Sequence, residues 1–244
     1  MGFSEGKSVE NPTIKIFDGL GYDTVNLFNE RFGSENPRGR ETSSDVVLRK
    51  ILKQKLVEFN PALDDMVIDA AVEEITKDRS SLSLASANQE IYELLKNGIK
   101  IKTLNNKGEE TTEIIQVIDW NNPDNNGFLL ASQMWISGDL YKRRPDLVGF
   151  VNGIPLILFE LKKFTINVKE AYDNNLSDYK ETIPQLFWYN AFVILSNGLD
   201  SRIGTLNAPW EHFNQWKKIN KEGEEGKISL DTIIKGTCEK KRLI

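Results

Sequence analysis

In the stretch RRPDLVGFVNGIPLILFELKK, residues 143–163, an almost unbroken apolar run carries Asp146 at one end and Glu160 and Lys162 at the other. Burying an unpaired charge costs several kcal/mol or forces the group to neutralise, so these residues are either paired or hold something. Two carboxylates on one face form a hard, anionic oxygen pocket suited to Mg²⁺, with water and phosphate completing the coordination. An adjacent lysine can steady phosphate charge while the metal lowers the pKa of a bound water. This is phosphodiester hydrolysis without a histidine. A structural ion pair at the rim of a hydrophobic hairpin accounts for the same charges, and charge placement alone favours that plainer reading. Paired carboxylates also serve glycosidases. The lysine two residues past the glutamate, and the basic cluster Lys142, Arg143 and Arg144 beside Asp146, favour phosphate over sugar.

Such chemistry needs an element that brings the three side chains together. Asn152-Gly153 is the strongest turn signal in the chain and makes residues 146–151 and 154–162 a β-hairpin. With a strict two-residue loop Val151 pairs with Ile154, and Glu160 falls on the opposite face from Asp146. A three-residue loop pairs Phe150 with Ile154 and puts Asp146, Glu160 and Lys162 on one face. The expectation is that register, or a bulge near Pro155 with the same effect, since proline cannot donate to a ladder.

Around the hairpin, apolar spacing predicts a short helix over residues 9–17, ended by Gly19-Leu20-Gly21-Tyr22. Residues 33–45, rich in Gly, Pro, Ser and charge, read as a loop, with Asp45 as cap for the next helix. Residues 46–58 and 64–77 form a helical hairpin, and 87–96 a further helix closed by Gly98. The period then changes. IKIKTL and EIIQVIDW are strands flanking an Asn105-Asn106-Lys107-Gly108 turn, and FLLASQMWISG is another. Residues 168–182 are helical, with Val168, Tyr172, Leu176 and Tyr179 on one stripe, and Pro184 starts a single turn. AFVILSNG and SRIGTL are the last strands. The reading is a helical part over 1–98 that includes the first core helix, an α/β core over 99–215 covered on both faces, and residues 216–244 beyond it.

Composition narrows the chemistry. With one cysteine, Cys238, and one histidine, His212, the chain's own residues cannot assemble a Cys/His zinc site. His212, among the aromatics of WEHFNQW, reads as a packed side chain. A net charge of −5 argues against a general nucleic-acid coat but leaves room for a local one. No apolar run is long enough to span a bilayer, and MGFSEGKSVE lacks the order of a signal peptide, so the cytoplasm is expected. Gly223-Glu224-Glu225-Gly226-Lys227 has neither the glycine spacing nor the following Ser/Thr of a Walker A loop.

Pro145-Asp146 followed by Glu160-Leu161-Lys162 resembles the PD-(D/E)xK nuclease signature. The flanks VIDWNNPDNNGFLLASQMWISG and IPQLFWYNAFVILSNGLDSRIGT make the likeness specific. From about residue 8 onward the sequence resembles the N-terminal region of the restriction (motor) subunit of type I restriction-modification enzymes. The resemblance implies a restriction-endonuclease-like mixed sheet flanked by helices, with extra N-terminal helices. It implies an Mg²⁺-dependent nuclease triad of Asp146, Glu160 and Lys162, with Asp146 and Glu160 as metal ligands and double-stranded DNA as substrate. Gln185 and Tyr189 look like the family's Gln-x-x-x-Tyr motif, four residues apart and so on one helical face. Glu10 fits the acid that related nucleases carry on the first helix, although the helix dipole alone also explains it. Modification and specificity subunits are the implied partners. ATP would serve helicase domains to which residues 216–244 form a linker.

Overall fold

The structure is a computed structural model that describes residues 7–104 and 108–244. In chain order its elements are α1 (Lys7–Gly19), β1 (Asp23–Asn26), α2 (Arg49–Phe59), α3 (Asp65–Thr76), α4 (Leu84–Asn97), β2 (Ile99–Leu104) and β3 (Glu110–Ile115). There follow β4 (Phe128–Ser132), β5 (Ile136–Ser137), β6 (Lys142–Arg143), β7 (Leu147–Val151) and β8 (Ile154–Leu161). A π-helical turn over Ala171–Leu176 runs into α5 (Ser177–Thr182), and β9 (Phe192–Ser196), β10 (Ser201–Gly204), α6 (Ser229–Thr237) and α7 (Lys240–Leu243) complete the chain. The predicted turn residues 105–107 lie outside the described residues.

The main sheet has strand order β1-β4-β7-β8-β9-β10, with β1/β4 and β8/β9 parallel and the other neighbours antiparallel. Every residue of β7 and β8 is buried, as expected of central strands covered on both faces. One cover is α1. Its Phe17 is fully buried and meets Phe159 of β8 edge-on at 5.4 Å. Beside it lies α6, in which Leu230, Ile233 and Ile234 are buried. The end of the expected linker is therefore part of the core: Cys238 is buried, and its carbonyl accepts a 2.8 Å hydrogen bond from the Tyr22 hydroxyl.

Several boundaries differ from the sequence reading for local reasons. The expected strand over FLLASQMWISG breaks at Gln133, whose φ of 58° leaves the extended region, so β4 and β5 join different sheets. Strand β1 follows the Gly19–Tyr22 stop with a mostly exposed edge and carries no apolar alternation to announce it. The strand read over EIIQVIDW starts earlier and ends at Ile115. Asp45 does not cap α2. Its carboxylate accepts from the Thr42 N–H and hydroxyl within its own turn, while the Leu48 N–H ahead of α2 donates to the Gly153 carbonyl. Pro184 does start a 3₁₀ turn, Pro184–Leu186. His212 lies exposed in another, and it is Phe213 that is buried there.

Candidate active site

The β7–β8 hairpin decides where the acids point. Its turn keeps the strict two-residue form, with Val151 opposite Ile154 and φ of 51° at Asn152 and 82° at Gly153. The three-residue alternative is not adopted. Asn152 anchors the tight turn with a fully buried side chain, whose Nδ2 donates to the Val117 carbonyl and Asn126 Oδ1 and whose Oδ1 accepts from the Gly127 N–H. The register then shifts between Gly149 and Phe150. Phe150 pairs with Pro155 and Gly149 with Ile157, leaving Leu156 as the extra residue. Its carbonyl is satisfied by the Ala191 N–H at 2.8 Å. Beyond this bulge Leu147 faces Phe159, so the next positions outward, Asp146 and Glu160, lie opposite each other on one face. The bulge near Pro155 was one of the two expected routes to that result.

Glu160 is only 4% exposed. Burial, reinforced by the neighbouring Asp146 charge, pushes its carboxyl up to about 8. Burial also raises Asp146, against the opposing pull of the Leu161 N–H and of the Lys162 and Arg144 charges. Each acid has fixed partners. Asp146 Oδ2 accepts from the Leu161 N–H at 2.8 Å, and Glu160 Oε2 accepts from the Tyr179 hydroxyl at 3.0 Å. Lys162 Nζ reaches Glu160 Oε1 at 3.3 Å and donates to Asn175 Oδ1 at 2.6 Å. Burial keeps the Tyr179 phenol protonated, so it acts as a donor to the acid.

Asn175 and Tyr179 were missed as site residues. They stand four apart where the π-helical turn meets α5, an irregularity frequent at functional sites. Their amide-then-phenol spacing was the available signal, but Tyr179 read as part of an apolar stripe. The pair expected in that role, Gln185 and Tyr189, does not reach the acids. Gln185 sits in the 3₁₀ turn and donates to the Ser137 carbonyl at 2.8 Å. Tyr189 lies beyond that turn, with its buried hydroxyl spent on the Ile75 carbonyl at 3.0 Å. They share no helical face.

Glu10 is buried in the first turn of α1 and accepts from Gln133 Nε2 at 2.8 Å. The Gln133 N–H donates to the Asp146 carbonyl at 3.0 Å, so one residue ties α1 to the Asp146 segment. Its positive φ is an uncommon state for a side-chain-bearing residue, and nothing in the sequence announces it. Among the described residues no three His, Cys, Asp or Glu side chains gather as a metal-holding group.

The basic cluster is divided. Arg143 makes a two-pronged ion pair with Asp178 of α5, at 2.5 and 2.7 Å. Lys142 and Arg144 turn instead toward aromatic rings.

Residues 2–212 match the family described as the type I restriction enzyme R protein N terminus. The HindI type I restriction enzyme endonuclease subunit of Haemophilus influenzae is 31% identical over 232 residues, 91% of this chain and 21% of that protein. The putative MjaIXP type I endonuclease subunit of Methanocaldococcus jannaschii is 30% identical over 237 residues, 93% of this chain and 22% of its own length. The chain thus spans about a fifth of the length of these relatives. By the extent of that match, covering the hairpin, its acids and the helices that flank them, the chain belongs to the family of type I restriction enzyme R protein N-terminal regions.

Proposed function

We propose that this chain is the DNA-cleaving part of a type I restriction endonuclease subunit, with a restriction-endonuclease-like core in which Asp146 and Glu160 hold Mg²⁺. The observation that carries this reading is the pair of opposed acids at the open end of the β7–β8 hairpin, beyond its bulge, where Glu160 is buried and the Asp146 charge raises the cost of ionising it. Carboxylates in that state are relieved by a hard dication, and their oxygens are the donors that Mg²⁺ prefers. When bound, the ion supplies charge neutralisation at the phosphate and a more acidic water. The remaining roles belong to the chain. Lys162, held by Asn175, presents its ammonium to the phosphate oxygens. Tyr179 fixes the rotamer of Glu160, and the Leu161 N–H fixes that of Asp146. In the longer subunit, ATP-driven translocation along double-stranded DNA would precede cleavage, with modification and specificity subunits as partners.

The test uses the complete subunit in its complex. Asp146→Asn and Lys162→Ala should each lower plasmid cleavage by about 10²-fold or more, while ATP hydrolysis and translocation persist. Cleavage at the normal rate by either variant would reduce the site to a structural ion pair and the chain to a non-catalytic coupling module.

A further inference from the structure

Next to the acids lies a row of rings and cations that the hydrolytic reading does not use. Phe28 is 46% exposed and Phe32 36%, with Trp135 half-buried between them. The Arg144 guanidinium lies 4.9 Å from the Phe28 ring centre and 4.8 Å from that of Trp135. Lys142 Nζ lies 5.1 Å from the Trp135 ring and 5.8 Å from that of Phe32. The order is ring, cation, ring, cation, ring.

The row is built and fixed. Phe28 is set by its N–H donating to Asn26 Oδ1 at 3.0 Å. Buried Arg40 ties the loop beneath by donating to the Trp135 carbonyl at 2.7 Å and pairing with Glu30. The row also borders a cavity. Phe28 and Arg144 line a cavity of about 550 Å³ together with Glu10 and Gln133, within the size range of small-ligand sites. Arg144 stands two residues before Asp146, whose carboxyl feels its charge.

We propose that Phe28 and Trp135, with Arg144 and Lys142, form a stacking platform for unpaired nucleotides of single-stranded DNA leading toward Asp146. The inference rests on DNA being the substrate. Exposed rings clustered with cations fit a strand whose bases have open faces and whose phosphates are anionic, whereas bases stacked inside a duplex offer no face to a ring. A cation on an exposed ring is held more weakly than a stacked base, so the arriving base takes the ring and releases the cation to the phosphate.

The test is binding without cleavage: anisotropy of a labelled oligothymidylate and of a blunt duplex of the same length, in Ca²⁺, with the whole chain. Phe28→Ala combined with Trp135→Ala should weaken oligothymidylate binding by about tenfold or more and leave duplex binding unchanged, while Trp135→Phe retains most of the affinity. Wild-type affinity in the double variant, or equal loss for both DNAs, overturns the platform. Should the double variant fail to fold, bromodeoxyuridine crosslinking to the wild-type chain decides. Crosslinks in the peptides holding Phe28 or Trp135 support the platform, and crosslinks only elsewhere overturn it. Because the readout needs no catalysis, a failed platform leaves the Asp146→Asn cleavage test intact, and a failed cleavage test leaves the platform to stand or fall on binding.

Discussion

Glu160 concentrates the electrostatic stress of the site. Its carboxyl, raised from the ordinary 4.5 to about 8, holds its proton in the folded chain over a range where the unfolded chain has released it. The stability associated with that proton is complete below about 4.5 and is lost as pH rises toward about 8, with a slope of up to ~1.4 kcal/mol per pH unit. Melting temperature in EDTA should therefore fall between these limits for the wild type and fall much less for Glu160→Gln. Added Mg²⁺ should flatten the wild-type curve by favouring the ionised pair. Parallel curves for the two proteins would show that Glu160 ionises as freely folded as unfolded. The acids and Lys162 were legible from residue type and spacing in the sequence. Tyr179 and Asn175 were not, because a tyrosine on an apolar stripe reads as core until its hydroxyl is seen to have a carboxylate partner.

At the level of the element, the tight turn and the bulge act as one device. Gly153 has φ of 82°, and a Cβ there would lie 2.7 Å from the Leu48 carbonyl oxygen and 2.9 Å from the Leu52 nitrogen, both backbone atoms of the adjoining helix start. Gly153→Ala should destabilise the chain by roughly 1–3 kcal/mol in chemical denaturation, combining left-handed strain with a clash that cannot move aside. An unchanged midpoint would mean that α2 shifts freely from the hairpin tip. The Asn152-Gly153 turn was readable because its φ demands are local. Choosing between a longer loop and a bulge was not, since the choice depends on the partners of Asn152 and on Ala191 waiting to satisfy the Leu156 carbonyl. Likewise, the one-turn spacing of Gln185 and Tyr189 was sound arithmetic on a segment that coils as 3₁₀ and turn.

Across the whole molecule, both ends of the chain close over the same sheet, α1 and α6 side by side with Tyr22 bonded to the Cys238 carbonyl. Removing residues 229–244 takes away buried Leu230, Ile233, Ile234 and Cys238. At roughly 1.5–3 kcal/mol for each large buried aliphatic side chain, the loss is comparable to the 5–15 kcal/mol stability of a typical domain. The truncated chain should be insoluble or lack a cooperative melt. A normal melting transition would restore the view of this segment as a mere connector. Among the described residues no helix is long and apolar enough to cross a membrane, in keeping with the apolar pattern of the sequence.

Sequence alone determined the chemistry on offer: two acids and a lysine at the ends of a turn-centred apolar run, helices before it, strands around it, and no histidine or cysteine set to compete for a metal. These features are set by residue type and short-range periodicity, which act over a few positions. Tertiary structure decided which side chains meet. The bulge at Leu156 reverses the side of the sheet on which Glu160 emerges, Gln133 bridges α1 to the Asp146 segment, and Asn175 and Tyr179 fold back onto Lys162 and Glu160 from the helical segment that follows β8. The physical reason is that a side chain's facing flips with each residue of register, and register is settled by hydrogen bonds and packing from segments far away in sequence.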